Sequence, residues 1–344
     1  MEKLVSVIIP CFNAARWLRE AIDSCLQQTY PRIEIIVIDD GSTDNCLEII
    51  KSYEDKIIWE TGPNRGGNRA RNRGFALSQG EYIQYLDADD YMLPEKIEKQ
   101  VLFLEKTGAD VVYGDWKYKR HLPDGTSFLE AREFSSGPKE DILESLLSDH
   151  WWVAPVALLF TRAAVDNCSG WDESLKGAQD RDFFISVVMN DPKVVHQPGC
   201  DSFYRKHGNT TVSSSNKRLL LESHFLVMEK AEVKLVQLDK LSNRYRQALA
   251  QGYLLKSRYY KYLDYSRYVW VLRKILFLCP EFKVEGSAAY NLIQRISGFL
   301  IAEIILRATI QLTKRLKIIL KLFQKIRYRI KMAKGLAFSA RLQR

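Results

Sequence analysis

Short, almost uninterrupted apolar runs alternate with segments of helical periodicity over the first quarter of the chain, and the runs stop at polar or acidic turns. Leu4-Val5-Ser6-Val7-Ile8-Ile9-Pro10 reads as a buried strand stopped by Pro10. Beyond Asn13, a candidate cap, the residues Trp17, Leu18, Ala21, Ile22, Cys25 and Leu26 recur at helical spacing. A second run, Ile33 to Ile38, ends at Asp39-Asp40-Gly41; Thr43 is then placed to cap a helix reaching about Tyr53, and Ile57-Ile58-Trp59 forms a short third strand. The loop from Gly62 to Asn68 opens a helix to about Ser78, and a fourth strand, Tyr82 to Leu86, runs into Asp87-Ala88-Asp89. Strands this apolar, separated by amphipathic helices, imply an α/β fold with a mostly parallel sheet covered on both faces. In such sheets ligands bind beyond the carboxyl ends of the strands. Pro10–Asn13, Asp39-Asp40 and Asp87–Asp89 all fall at those ends, so one crevice can collect them.

Asp87 and Asp89, two residues apart past a strand, suit a hard divalent cation that also holds a diphosphate, because Mg2+-type ions take one or two carboxylates plus substrate phosphates. A short acidic triplet also occurs in solvated turns, and it is the setting that gives this one weight. No G-x-G-x-x-G follows the first strand and no G-x-x-x-x-G-K-[ST] occurs, which excludes a dinucleotide-type Rossmann site and a P-loop. Six scattered cysteines without CxxC or zinc-type spacing read as buried reduced thiols. Met1-Glu2-Lys3 leads straight into the first strand without the layout of a signal peptide, and together these features point to the cytosol. The net charge of +9 belongs to the tail: Arg307 to Arg344 holds twelve Lys or Arg and no acid, and without them 39 basic residues face 42 acidic ones. A nearly neutral body argues against nucleic acid as a partner.

Val5-Ser6-Val7-Ile8-Ile9-Pro10-Cys11-Phe12-Asn13, Val37-Ile38-Asp39-Asp40-Gly41-Ser42-Thr43-Asp44, Ala70-Arg71-Asn72-Arg73-Gly74 and Leu86-Asp87-Ala88-Asp89-Asp90 together resemble the family 2 glycosyltransferases, inverting enzymes of the GT-A fold that use nucleotide-activated sugars. The resemblance covers roughly residues 4–110 and continues more weakly through Gly170-Trp171-Asp172-Glu173 and Gln179-Asp180 to Tyr204–His207. It implies a Rossmann-like GT-A sheet: residues 1–110 bind the nucleotide-sugar, 111–215 supply the acceptor side and catalytic base, 216–298 form a helical extension, and 299–344 a basic amphipathic helix.

The resemblance also implies roles. Pro10, Phe12, Asp39 and Asp40 would hold base and ribose, since a carboxylate accepts from a pyrimidine N3–H and an aromatic stacks on the base. The alternative for the acid pair is a turn, and for Ser42 and Asp44 turn and cap are the expected roles. Arg71, with Arg65 as a second candidate, suits phosphate oxygens, whereas Arg69 and Arg73 are read as a solvated helix face. Asp89 is expected on a Mg2+ or Mn2+ ion, with Asp87 at the ribose or a metal-bound water; Asp90, close before Pro94, is left to a structural turn. Asp180 is the expected catalytic base, Asp182 is its rival, and both could simply be acids in a helix's first turn. Gln179 stands where relatives often carry Glu. His207 resembles a histidine that joins the metal or diphosphate shell in some relatives, and Trp151, Trp152 and Trp171 could stack on a sugar acceptor or fill the core.

In the tail, Leu312, Leu316, Ile319, Phe323, Ile326 and Ile330 share one stripe of a helix expected from Phe299, with Lys314, Lys317, Lys321 and Lys325 opposite. A basic amphipathic helix fits an anionic membrane surface, and its alternative is packing on protein. The expectation is therefore a metal-dependent transferase on the inner face of the cell membrane. It would move sugar from a nucleotide-diphosphate donor to a glycan or lipid-linked glycan in surface polysaccharide synthesis. The competing readings are a glycoside hydrolase, a sugar-1-phosphate nucleotidyltransferase, and a non-catalytic nucleotide-sugar-binding or membrane-docked scaffold.

Overall fold

The computed structural model describes residues 2–122, 124–134, 137, 141–207, 216–260, 264–310 and 312–313. Two compact units divide the chain, Met1–Lys256 and Ser257–Arg344. In the first, strands β1 (Val5–Cys11), β2 (Ile33–Asp39), β3 (Ile58–Thr61) and β4 (Tyr82–Tyr85) lie parallel in the order β3-β2-β1-β4. β1 is central, pairing Val5 with both Ile33 and Tyr82, and Val5 through Ile9 are fully buried. Alternate side chains of a strand point to opposite faces, so both faces of the sheet are covered there. That is why the sequence shows a continuous apolar run rather than an alternation.

Beyond β4 the sheet is mixed. It continues through β8 (Leu158–Thr161), β6 (Val111–His121), β9 (Val194–Lys206) and the short β5 (Tyr91–Met92), with β7 (Ser127–Phe134) paired to β6. β8 runs antiparallel to both neighbours, β6 and β9 pair in parallel, and β5 and β7 run against their partners. Most strands therefore share one direction. Helices α1 (Ala15–Leu26), α2 (Cys46–Lys51), α3 (Gly67–Leu77) and α4 (Lys96–Thr107) connect the first strands, and α5 (Ile142–Leu147), α6 (Arg162–Asp166) and α7 (Gln179–Val188) follow. α1 buries Trp17, Leu18, Ala21, Ile22 and Cys25 as its spacing predicts; Leu26, the last residue of the helix, is exposed. Helix α8 (Lys217–Gln237) and most of α9 (Asn243–Tyr260) fall inside the first unit, where the sequence suggests a separate extension from residue 216.

The caps behave differently from the local reading. Asn13, expected to cap α1, has φ 49° and accepts instead from Thr43 N at 2.8 Å, while Asn13 N donates to Ser42 Oγ at 2.9 Å. Asp44 in turn accepts from Ala15 N, at 2.9 Å, in the first turn of α1. The loops after β1 and β2 thus satisfy each other's backbone, and α2 starts only at Cys46. Gly41 is required in this turn: its φ is 75°, and a Cβ there would meet Asn64 N at 2.7 Å and Gly62 O at 2.9 Å.

In the second unit, α10 (Tyr265–Leu278) is followed by a helical stretch over residues 288–310. That stretch begins well before Phe299 because Ser287 starts it: its Oγ accepts from Tyr290 N at 3.2 Å and its carbonyl from Asn291 N at 2.9 Å. The expected stripe beyond Leu312 and its lysines lies outside the described residues. Among the described residues no helix is long and apolar enough to cross a membrane.

Candidate active site

The carboxyl ends of β2 and β3 open on a cavity of about 440 Å3, lined by Asp39, Asp40, Thr61, Arg65 and Asn72 among others. Asp39 accepts from Thr61 Oγ1 at 2.6 Å and from Ser42 N at 3.2 Å. Both oxygens of Asp40 are taken by backbone, from Arg65 N at 2.8 Å and Gly66 N at 2.7 Å, so this carboxylate shapes the loop that opens α3. Asp40 N donates to Cys11 O, which ties the end of β2 to the end of β1 beside Pro10 and the half-exposed ring of Phe12. Arg73 and Arg69 form rim ion pairs with Glu60 and Glu173, consistent with the solvated face read from the sequence.

On the inner side of α3, Arg71 is almost buried. Its Nη2 donates to Asp87 Oδ1 at 2.6 Å, its Nη1 to Asn68 Oδ1 at 3.3 Å and Gln179 Oε1 at 3.5 Å, and its guanidinium lies 4.5 Å from the Trp171 ring. Gln179 therefore accepts from Arg71 without adding a second negative charge, and that charge stays committed to Asp87. Burial pushes the Asp87 carboxyl up, Arg71 opposes it, and the negative charges of Asp89 and Asp180 add to the rise. Tyr204 reports the same field: burial raises it first, then Asp90, Asp87, Asp180 and Asp89. Acids from two distant stretches of the chain, Asp87–Asp90 and Asp180, thus act on one small volume.

Asp89 Oδ2 lies 3.0 Å from His207 Nε2, and the imidazole stacks on Trp17 with centroids 5.4 Å apart. His207 Nδ1 is buried without a hydrogen-bond partner. Asp90 is structural: its N donates to Asp87 O at 2.9 Å, closing a turn, and its fully buried side chain accepts from Arg205 N in β9 at 2.8 Å, which binds the acidic loop to the strand leading to His207. Among the described residues no group of three or more His, Cys, Asp and Glu could hold an ion alone.

The first turn of α7 anchors four consecutive side chains to different partners. Gln179 reaches Arg71, Asp180 Oδ2 accepts from Trp152 Nε1 at 2.7 Å, Arg181 pairs with Asp149, and Asp182 pairs with Lys230 of α8 at 2.7 Å. The two acids differ in their surroundings: Asp182 is paired with Lys230, whereas Asp180 is held by the Trp152 indole and its charge acts on Asp87 and Tyr204. Lys230 also holds Asp172 at 2.5 Å, and sequence reading missed it because nothing near it in the chain marks it. Trp171 is core, stacked on Phe183 with centroids 4.2 Å apart; Trp151 packs edge-on to Tyr113, and Trp152 to Trp116.

The Lys230 bridge has a pH signature. Burial alone would push the Asp172 carboxyl up, yet hydrogen bonds from Lys230 and Ser174 bring it down to about 2. A carboxyl lowered on folding stabilises the fold above its unfolded value of about 3.9, and that contribution is lost as pH falls toward the folded value. With both partners partly exposed, the effect is at most about 2 kcal/mol. Urea midpoints of the unaltered protein are expected to fall between about pH 4 and pH 2. Lys230→Met should flatten this acid slope and lower the midpoint at neutral pH, where Asp182 loses its cation. Superimposable profiles would show that the bridge carries no energy.

The mostly parallel mixed sheet is of the GT-A type, and S. aureus TarS 1–349, crystallised in complex with UDP-GlcNAc, shares the fold (TM-score 0.64, 21% identity, 81% of this chain and 82% of that one). Residues 6–169 match Glycosyl transferase family 2, and this stretch is a glycosyltransferase domain of that family. An uncharacterized glycosyltransferase of Rickettsia typhi is 38% identical over 192 residues, 54% of this chain and 58% of its own length. The UDP-Glc:alpha-D-GlcNAc-diphosphoundecaprenol beta-1,3-glucosyltransferase WfaP of Escherichia coli is 28% identical over 226 residues, 65% of this chain and 86% of its own length. The chain spans between 48% and 62% of the length of the first curated relatives it matches.

Proposed function

We propose that the protein is a metal-dependent inverting glycosyltransferase that moves a sugar from a UDP-linked donor to a hydroxyl of a lipid-diphosphate-linked glycan in surface polysaccharide synthesis. It would work peripherally on the inner face of the cell membrane, docked through the basic tail after Phe299. The convergence of Asp87, Asp89 and Asp180 beside Arg71 and His207 carries this reading. The names of WfaP and of the TarS complex suggest the donor and acceptor classes.

In this reading Asp39 faces the base and ribose from the cavity wall, Pro10 and Phe12 approach them from the end of β1, and Asp40 holds the loop that opens α3. Arg71 orients Asp87 toward the donor. Asp89 and His207 fit a Mg2+ or Mn2+ ion: their facing atoms are 3.0 Å apart, and two neighbouring ligands of an octahedral ion with bonds near ~2.1 Å lie about 3 Å apart. Such an ion, when bound, neutralises charge on the leaving diphosphate as a Lewis acid. Asp180, held by the Trp152 indole, removes the proton from the acceptor hydroxyl as its oxygen attacks the anomeric carbon. The bond to the diphosphate breaks on the opposite side, so the stereochemistry inverts.

Thermal shifts with UDP, GDP and dTDP, each with and without Mn2+, test the donor site, because a ligand bound only by the folded state raises the melting temperature. A shift specific to UDP and enlarged by Mn2+ is expected. Equal or absent shifts for all three would remove the reading.

A further inference from the structure

Helix α10 has two faces of opposite character. Tyr268, Val271, Leu272, Ile275 and Leu278 are buried, and Tyr268 donates to the buried Glu303 at 2.6 Å. On the other side Trp270 is 40% and Phe277 73% exposed; seven residues apart, they share one face, with the exposed Arg273 between them. Arg267 lies 4.2 Å from the Trp270 ring and Lys274 5.4 Å from that of Phe277. No acid occurs anywhere in Tyr265–Leu278. The same composition recurs over residues 288–310, where Ile296 is 77% exposed beside Arg295, and the sole acid, Glu303, is buried and bonded to Tyr268 and Tyr290.

We propose that this face of α10 is a docking surface for an anionic lipid bilayer, with Trp270 and Phe277 seated among the headgroups and Arg267, Arg273 and Lys274 on lipid phosphates. Charge complementarity selects this occupant. In a two-fold contact with a second copy the same patch meets itself, so the cations of both copies would share one interface with no acid of α10 to offset them. Nucleic acid would use the cations and stack on the rings, but it has no use for the exposed aliphatic Ile296 on the neighbouring stretch. A bilayer takes all three: aromatic rings anchor at its interface, aliphatic side chains enter its acyl region, and each surface cation adds attraction. The element differs from the tail after Phe299 and does not depend on which sugar is transferred.

The test uses the full chain with two kinds of vesicle: phosphatidylcholine alone, and phosphatidylcholine mixed with phosphatidylglycerol. Co-sedimentation is expected only with the anionic vesicles, and Trp270→Ala/Phe277→Ala should lower the partition coefficient by about tenfold or more. Arg273→Gln/Lys274→Gln should lose much of the binding at low salt and little of what remains at high salt. UDP-induced thermal shifts should be the same in both variants, which shows that they fold. Partitioning of the aromatic variant equal to that of the unaltered chain would overturn the proposal, even if the chain binds vesicles through its tail. So would loss of self-association in that variant with vesicle binding intact. Vesicle binding without any response to nucleotides would leave this surface standing and remove the transferase reading instead.

Discussion

The Asp180→Asn variant is expected to bind UDP as the unaltered protein does and to transfer sugar ~10²–10⁴-fold more slowly, the range that general base catalysis contributes. The substitution is nearly isosteric, and the amide oxygen can still accept from Trp152 Nε1, so the first turn of α7 keeps its anchors through Gln179, Arg181 and Asp182. What it removes is an oxygen able to take a proton from the acceptor. Asp182→Asn supplies the contrast: it weakens the bridge to Lys230 and should lower stability while leaving turnover of the folded fraction unchanged. Calorimetric titration with UDP alongside product formation separates the two. Undiminished turnover by Asp180→Asn would transfer the base role elsewhere.

That contrast marks where the sequence stops being informative. The strands around β1 are legible because burial on both faces writes an unbroken apolar run, and α1 because its buried stripe repeats every three or four residues. Nothing local distinguishes Asp180 from Asp182, since both sit in one helical turn; a lysine from α8 separates them, and only the folded chain brings it there. The caps show the same limit. Asn13, Ser42, Thr43 and Asp44 have the chemistry to close turns, and the sequence identifies that chemistry, but they close each other's turns across two loops. Asp40 is the functional counterpart. Its position at a strand end is legible, whereas both its oxygens answer to the backbone of residues far along the chain. The antiparallel insertion of β8 between β4 and β6 is equally silent, because a four-residue strand with three buried side chains carries no sign of direction.

Asp87 and Asp89 stand two residues apart, and replacing each is expected to fail in a different way. Asp87→Ala leaves the nearly buried Arg71 guanidinium without its carboxylate, so the loss is one of folding, about 3 kcal/mol for a broken buried pair. Asp89→Ala leaves that pair intact and removes the oxygen that faces His207. The fold should persist, and the extra stabilisation that Mn2+ gives to the UDP complex should vanish. Turnover should fall by about 10²–10³-fold, as expected when several kcal/mol of charge stabilisation on the leaving diphosphate is withdrawn. A chelator completes the argument: it should reduce the unaltered protein to the level of Asp89→Ala and leave that variant where it was. His207→Ala should fall between them, because one carboxylate still remains to pair with the diphosphate. If Asp89→Ala kept a Mn2+-dependent shift with UDP, the ion would have to sit elsewhere in the acidic cluster, and His207 Nε2 would lose its role as a ligand.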